Sequence, residues 1–525
     1  MDKDKLLINK SILIFCLFGF SLIIRLNFGY SSSIWLDEAW RITEARSYEF
    51  ETWLDIWKHS FSFEGLLNFN DNLFEGDLAN YRIIFVVVSS LASPLSFILA
   101  QKLFDTKLSL VIGLLIALSS WHITYSNELA AYGVGTTMIT LLCIVLFDNK
   151  ETLLNTFLIA SIAAFVGVLH LYLIGFTCLL LCSKYFVDFI NLKNIRSLYV
   201  CFILICFVLL VNSGQIYIRF FDFSGTNAFD NKLGMGWILG FPILLANLIL
   251  PGPLENRWIP TANEAGLIFM IIAVILGILV VWGAIKLALV QYYGIKNGAD
   301  IDTDALTQKL LIISIFLPTI GYVSFIYVQA FFVHGAFTRY LLPALPLIVI
   351  CIFSIFKRVY IFRFLSAFNI GVILLTLNIA VLVKGDFTTH FKNPYKEMFK
   401  EIGSICLDST TSIIVPSFLE MAIAKFYLEG SSCELIIQPS FKDFFVNRNK
   451  ALVWQTTAQL NDENEFLIKE LALVAKKSEF IIFLGDRSKS RVKLLLSDPV
   501  LADFIKLRDS LTPLGMRTVI MERSR

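Results

Sequence analysis

Apolar residues run through this chain in stretches of membrane length, separated by short polar turns. The first runs from Ser11 to Phe28, and a helix that crosses a bilayer of about 30 Å needs about 20 such residues. We predict eleven spans: 11–28, 83–100, 107–121, 133–147, 153–169, 172–190, 197–212, 265–289, 309–328, 340–356 and 362–383. A further apolar segment, 235–253, contains Pro242 and ends in Pro-Gly-Pro. We therefore predict that it is re-entrant or lies in the interface.

After Lys384 the pattern changes to charged helical stretches and short runs rich in β-branched residues. Helical periodicity covers 393–405 and 466–477, and β-type runs cover 412–417, 433–439, 480–484 and 517–522. This alternation is typical of a small α/β domain with a largely parallel sheet. The predicted fold is thus an α-helical polytopic membrane bundle over 1–384, followed by a soluble α/β domain over 385–525.

Composition and charge support the membrane class and give the chain an orientation. Of the 525 residues 57% are hydrophobic, and a net charge of +2 offers no electrostatic support for nucleic-acid binding. Lys and Arg occur on alternate connections, which predicts a cytoplasmic N-terminus in the plasma (inner) membrane. An odd number of spans then places the C-terminal domain outside, where Cys406 and Cys433 are able to form a disulfide.

Carboxylates lie among aromatic residues on the predicted outer face. Asp37 and Glu38 follow the first span between Trp35 and Trp40, and a second outer loop contains Glu128. An apolar setting raises the pKa of a carboxyl group unless it is paired, which is how a protein obtains a usable base from an acidic side chain. Most other loop acids are expected to be solvated.

Cationic and polar side chains recur at the same membrane face. They are Arg82, His170, Tyr172, Arg339 and Tyr340. Each alone has an ordinary interpretation, because an interfacial Arg often extends its charged end to water and a His often sits in a polar turn. Together they form a patch suited to a phosphate, whose oxygens match the planar guanidinium.

Several short motifs carry a family resemblance over about the first 400 residues. They are "IWLDEAW", "YRIIFVVVSSLASPLSFILAQKLFD", "WHITYSNELAAYG", "HLY", "RYLLPALP" and "NPYKEMFKEI", in that order. Their order and spacing resemble the bacterial GT-C glycosyltransferases related to protein O-mannosyltransferases and the lipid A aminoarabinose transferase. The resemblance implies a GT-C-like bundle. It also implies transfer of a sugar from a polyprenyl-phosphate donor to an acceptor outside the membrane, usually with inversion.

The resemblance also implies residue roles. Asp37 looks like the catalytic carboxylate with Glu38 as its motif neighbour, Glu128 like the second acid, and Arg339 like the residue that meets the donor phosphate. The sequence departs from the family where Glu-Ala-Arg is replaced by Glu128, Leu129 and Ala130, and where the His-Pro-Pro-Leu segment is absent. These departures leave the acceptor, whether lipid, glycan or protein, undefined.

The chemistry of such a donor requires few groups. A sugar phosphate already carries a good leaving group, so one positioned base and one or two cations suffice. The second acid either orients the first or binds a divalent metal with it, through Asp37 and Glu128. A lipid-linked glycan ligase or polymerase is the closest alternative function. A transporter of lipid-linked sugars is less favoured, because no internal repeat is visible.

Overall fold

The computed structural model gives the positions of most of the helices predicted from the sequence. It describes residues 3–28, 36–46, 52–53, 56–57, 60–74, 78–148, 152–192, 195–217, 314–326, 338–358, 366–384, 395–415, 418–428, 431–437, 457–485, 494–511 and 517–524. The predicted span 265–289 and the segment 235–253 lie outside these residues. Of the predicted spans 309–328 and 362–383, the described parts begin at 314 and 366.

The N-terminal part of the chain is helical. Its elements are α1 (Lys3–Phe28), α2 (Leu36–Arg46), α3 (Phe63–Phe74), α4 (Leu78–Ser90), α5 (Ala92–Ala100), α6 (Thr106–Leu118), α7 (Ser120–Ser126), α8 (Ala131–Leu146), α9 (Leu153–Leu169), α10 (Leu171–Leu192), α11 (Ile195–Val211) and α12 (Ser213–Tyr217). After the gap come α13 (Ser314–Ile326), α14 (Thr338–Leu341), a 3-10 turn (Leu342–Ala344), α15 (Leu345–Arg358) and α16 (Ala367–Lys384). Helix α1 packs against α4, α5, α6 and α7.

The length and apolar character of these helices make this a multi-pass membrane protein. Within the described residues, four segments are long and apolar enough to cross a membrane: Lys10–Asn27, Arg82–Ala100, Leu171–Phe189 and Arg339–Lys357. The pair α6 and α7 would add a fifth as one bent span, and shorter apolar helices include α8, α9, α11 and α13. The total of eleven spans therefore stays a prediction.

The helix break between α6 and α7 lies at Ser119, two residues before the end of the predicted span 107–121. The two helices meet at 53°. At the break Ser119 has an extended backbone, and its hydroxyl accepts a hydrogen bond from the backbone N–H of His122 at 3.3 Å. This bond caps the new helix start. As a result α7 leads directly to the loop that contains Glu128.

The C-terminal part of the chain forms one five-stranded sheet. Its strands are β1 (Thr411–Val415), β2 (Glu434–Ile437), β3 (Phe480–Gly485), β4 (Phe504–Leu511) and β5 (Arg517–Arg523), in the spatial order β2-β1-β3-β5-β4. Strands β2, β1 and β3 run parallel to one another, but β5 runs antiparallel to its two neighbours, β3 and β4. The sheet is therefore mixed rather than largely parallel. The sequence did not predict β4, because this edge strand carries Lys506, Arg508 and Asp509, which are typical of protected edges.

The helices of this part are α17 (Tyr395–Asp408), α18 (Phe418–Leu428) and α19 (Thr457–Lys477). A disulfide joins Cys406 on α17 to Cys433 before β2, the pairing that the sequence left open. Helix α18 packs against α2, and the guanidinium of Arg46 lies 5.9 Å from the ring centroid of Phe426. The C-terminal part therefore supports the helix that carries Asp37 and Glu38. The boundary at residue 384 stays a prediction.

Candidate active site

Helix α2 carries the first acidic pair and turns one of its acids inward. Glu38, Ile42 and Ala45 are all buried and are spaced four and three residues apart, which places them on one helix face. Asp37 lies in the first turn of the same helix. Its backbone is described, whereas its side chain lies outside the described set, so its predicted catalytic role stays a prediction.

Glu38 and Arg82 form a buried, two-bonded ion pair. Arg82 donates from Nε to Glu38 Oε1 at 3.1 Å and from Nη2 to Oε2 at 2.7 Å, and each side chain is 1% exposed. The backbone N–H of Leu129 also donates to Glu38 Oε1, at 2.9 Å. Three separate segments, α2, α4 and the loop before α8, thus meet at one carboxylate. Whether either side chain also contacts substrate stays a prediction.

Glu128 lies between α7 and α8 and is 3% exposed. Its neighbour Leu129 is the residue bound to Glu38, so the two predicted acidic segments are brought together. Gly133 lets α8 begin this close to its neighbours. A Cβ there would lie 2.7 Å from Ser89 Oγ and 3.0 Å from Ser126 Cα. Any side chain at this position would displace α8 from α4 and α7.

Four aromatic side chains cluster at the same end of α8. Ring centroids lie 5.9 Å apart for Tyr132 and His170, 4.7 Å for His170 and Tyr172, 5.3 Å for Tyr172 and Tyr340, and 5.7 Å for Tyr132 and Tyr340. The guanidinium carbon of Arg339 lies 5.8 Å from the Tyr132 ring centroid and 5.4 Å from that of Tyr340. The structure thus brings four of the predicted residues together and adds Tyr132, which the sequence analysis missed.

The cluster is built from helix ends. His170 ends α9 in an extended conformation, and its Nδ1 accepts from the backbone N–H of Tyr172 at 3.3 Å. Tyr340 lies in α14, just before the 3-10 turn, and Pro346 at the start of α15 cannot donate to the carbonyl of Leu342 four residues earlier. The hydroxyl of Thr136 on α8 donates to that carbonyl at 3.0 Å instead. The bend that fixes Tyr340 is thus tied to the helix that carries Tyr132.

A metal site gains no support from the described side chains. Among them there is no group of three or more His, Cys, Asp or Glu that could hold an ion. The side chain of Asp37 is outside this set. A divalent metal between Asp37 and Glu128 therefore stays a prediction.

Among known proteins, the chain matches solved structures but no protein-family model and no curated sequence. The chain is similar to the archaeal oligosaccharyltransferase AglB from Archaeoglobus fulgidus, solved with an inhibitory peptide and a dolichol-phosphate. The identity is 10% and the TM-score 0.47, over 97% of this chain and 74% of AglB.

A second similar structure is ArnT from Cupriavidus metallidurans. In its apo state the identity is 11% and the TM-score 0.46, with 97% of each chain covered. Bound to undecaprenyl phosphate, the values are 10% and 0.41. At these identities the role of each residue has to be argued from this chain's own side chains.

Proposed function

We propose that this protein is a membrane glycosyltransferase that moves a sugar from a polyprenyl-phosphate donor to an acceptor on the extracytoplasmic face, with inversion. The observation that carries the proposal is the crowding of functional groups around residues 128–132. Glu128 lies there, Leu129 is bound to Glu38 from the helix of Asp37, and Tyr132 lies beside Arg339. Acids and a fixed cation therefore occupy one end of the bundle.

The chemistry that fits this arrangement is displacement of a lipid phosphate. In the proposal Asp37 accepts the proton of the acceptor hydroxyl, and Glu128 orients Asp37 or the acceptor. Arg339 holds the phosphate oxygens, whose negative charge grows as the bond to the sugar breaks. The aromatic rings supply walls that exclude water from the reacting carbon. Protein, glycan and lipid acceptors all provide a suitable hydroxyl or amine.

A deletion strain provides the direct test of this function. Mass spectrometry of lipid-linked sugars and surface glycans should show one sugar missing from a glycan and its lipid-linked form accumulating. Restoration by the wild-type gene makes the result specific. A ligase or polymerase would instead leave each repeat complete and change the number of repeats attached. No change in either fraction would contradict the proposal.

Replacing Arg339 with Lys separates phosphate binding from membrane anchoring. Lys keeps the charge but would lose one of the two parallel hydrogen bonds proposed to the phosphate, together with the contact of the guanidinium with the rings of Tyr132 and Tyr340. A charge-assisted hydrogen bond contributes about 1.5–3 kcal/mol, so the transfer rate should fall roughly tenfold to hundredfold. The rate is measured in membranes supplied with the lipid extract of the deletion strain. Arg508→Lys, at the exposed pair with Glu401, is the matched control. A silent Arg339→Lys would identify Arg339 as an interfacial anchor.

The orientation is part of the proposal, and the Cys406–Cys433 disulfide supports an oxidising compartment for the C-terminal part. With the other cysteines replaced, Trp53→Cys and Lys476→Cys should react with a membrane-impermeant thiol reagent on intact cells. Lys107→Cys should react only after permeabilisation. All three positions are exposed. Reaction of Lys476→Cys only after permeabilisation would contradict both the odd number of spans and an external acceptor.

A further inference from the structure

We infer that Arg25, on the first membrane helix, is a positioning residue that holds the loop of Glu128 in place. The inference rests on the proposed function, since Glu128 matters only if that loop belongs to the active site. Arg25 stands within the apolar run of α1 and is completely buried. A charged residue at such a position is costly in a membrane, which makes it a candidate for a functional role.

The guanidinium of Arg25 bonds to three different elements. Its Nε donates to Ser126 Oγ at 3.1 Å, and its Nη1 donates to the backbone carbonyl of Ser21 at 2.9 Å. Its Nη2 contacts Nδ1 of His122. Because Arg is always a donor, His122 accepts through Nδ1 and carries its proton on Nε2. Helix α1 is thereby joined to α7 through two side chains.

The break between α6 and α7 explains why a cation is needed there. A helix end leaves its last carbonyl groups without donors and carries partial negative charge. The carbonyl oxygens of Ile116 and Ala117 lie 3.5 and 3.4 Å from the Arg25 guanidinium. In the described part of the chain, all hydrogen bonds of Arg25 go to neutral groups. Arg25 therefore compensates the end of α6 and fixes the direction in which α7 leaves it.

Glu128 is consequently held from both sides. Two residues before it, Ser126 is bound by Arg25; one residue after it, Leu129 is bound by Glu38. The two anchors come from different helices, α1 and α2. Because these anchors hold the chain on both sides of Glu128, together they fix where its carboxylate is presented. Small displacements of a reacting group lower rates strongly, by about a hundredfold for about 1 Å.

The test separates positioning from general stability. Arg25→Met together with His122→Leu removes the donor and its ring acceptor at once, and replacing both partners of a hydrogen bond by apolar groups can be nearly neutral for stability. Ser126→Ala removes one contact of Arg25, and it provides the test if the double variant fails to fold. Arg25→Lys is the conservative variant. Ser96→Ala is the matched control, because this buried serine bonds only within its own helix, to the Ala92 carbonyl at 2.6 Å.

Two measurements are made on the full-length protein in lipid nanodiscs without any ligand. These are the thermal unfolding midpoint and hydrogen exchange of the amides of residues 119–130. The double variant should unfold close to the wild-type temperature, while exchange around 127–129 rises about tenfold. Ser126→Ala should raise it about threefold, and Ser96→Ala should leave it unchanged.

The third measurement is the amount of glycan restored in the deletion strain. The amount of restored glycan should fall roughly tenfold to hundredfold in the double variant. The single variant Arg25→Lys should keep part of the wild-type amount. Unchanged exchange at 127–129 in both the double variant and Ser126→Ala would overturn the inference. So would loss of glycan only in proportion to a lowered unfolding temperature. If deletion itself changes no glycan, the proposed function fails, while the exchange data still decide whether Arg25 holds the loop.

Discussion

Asp37→Asn is expected to abolish sugar transfer while the protein still folds and binds its donor. Asn has the shape of Asp but lacks a basic oxygen, so it cannot accept the proton of an acceptor hydroxyl. A positioned general base contributes about 10²–10⁴-fold to a rate, and a loss of this size should remove detectable glycan. The measurement is mass spectrometry of surface glycans in the deletion strain carrying the variant gene.

Asp105→Asn is the matched control for this change. Asp105 caps α6 by accepting from the backbone N–H of Leu108 at 2.9 Å, and Asn caps a helix equally well. The control should restore the glycan fully. If Asp37→Asn also restores it, Asp37 is not the base. Attention would then move to Glu128 rather than Glu38, because both oxygens of Glu38 already accept hydrogen bonds.

Breaking the Glu38–Arg82 pair is expected to have the largest effect on stability. Glu38→Gln removes the carboxylate charge that is bound to the buried Arg82 guanidinium, and breaking a buried ion pair by removing one partner costs about 3–5 kcal/mol. Arg82→Met should cost a similar amount by leaving the carboxylate uncompensated. The double variant Glu38→Leu with Arg82→Met should be more stable than either single variant, because both charges of the pair are removed together. Free energies of unfolding in mixed micelles give the coupling between the two side chains.

The same double variant should nevertheless transfer poorly. With Glu38 replaced, the Leu129 N–H loses its acceptor, and the loop of Glu128 loses one of its anchors. We therefore expect the double variant to regain stability without regaining transfer activity. Single variants that each cost less than about 1 kcal/mol would show that the pair behaves like an exposed salt bridge. Arg41→Met, at a partly exposed pair with Glu64, is the control for that case.

The sequence by itself determined the features that depend on local pattern. Hydropathy located the described membrane helices, because a segment in lipid must satisfy its backbone within one helix. Short runs of β-branched residues between the helical stretches located β1, β2, β3 and β5, because buried strands are rich in such apolar residues. The sequence showed that Cys406 and Cys433 lie outside the spans and are able to pair, but it left the disulfide open. The motifs also predicted acids and cations at one face of the bundle.

Only the tertiary structure decided which of those groups meet. Glu38 pairs with a residue 44 positions away and accepts from another 91 positions away, and Arg25 bonds to Ser126 across 101 positions. No local periodicity encodes such contacts, because they depend on how separate helices pack. The break at Ser119 and the antiparallel strand β4 were missed for the same reason. Each is stabilised by hydrogen bonds from outside the segment itself: β4 by those with β5, and the broken end of α6 by Arg25.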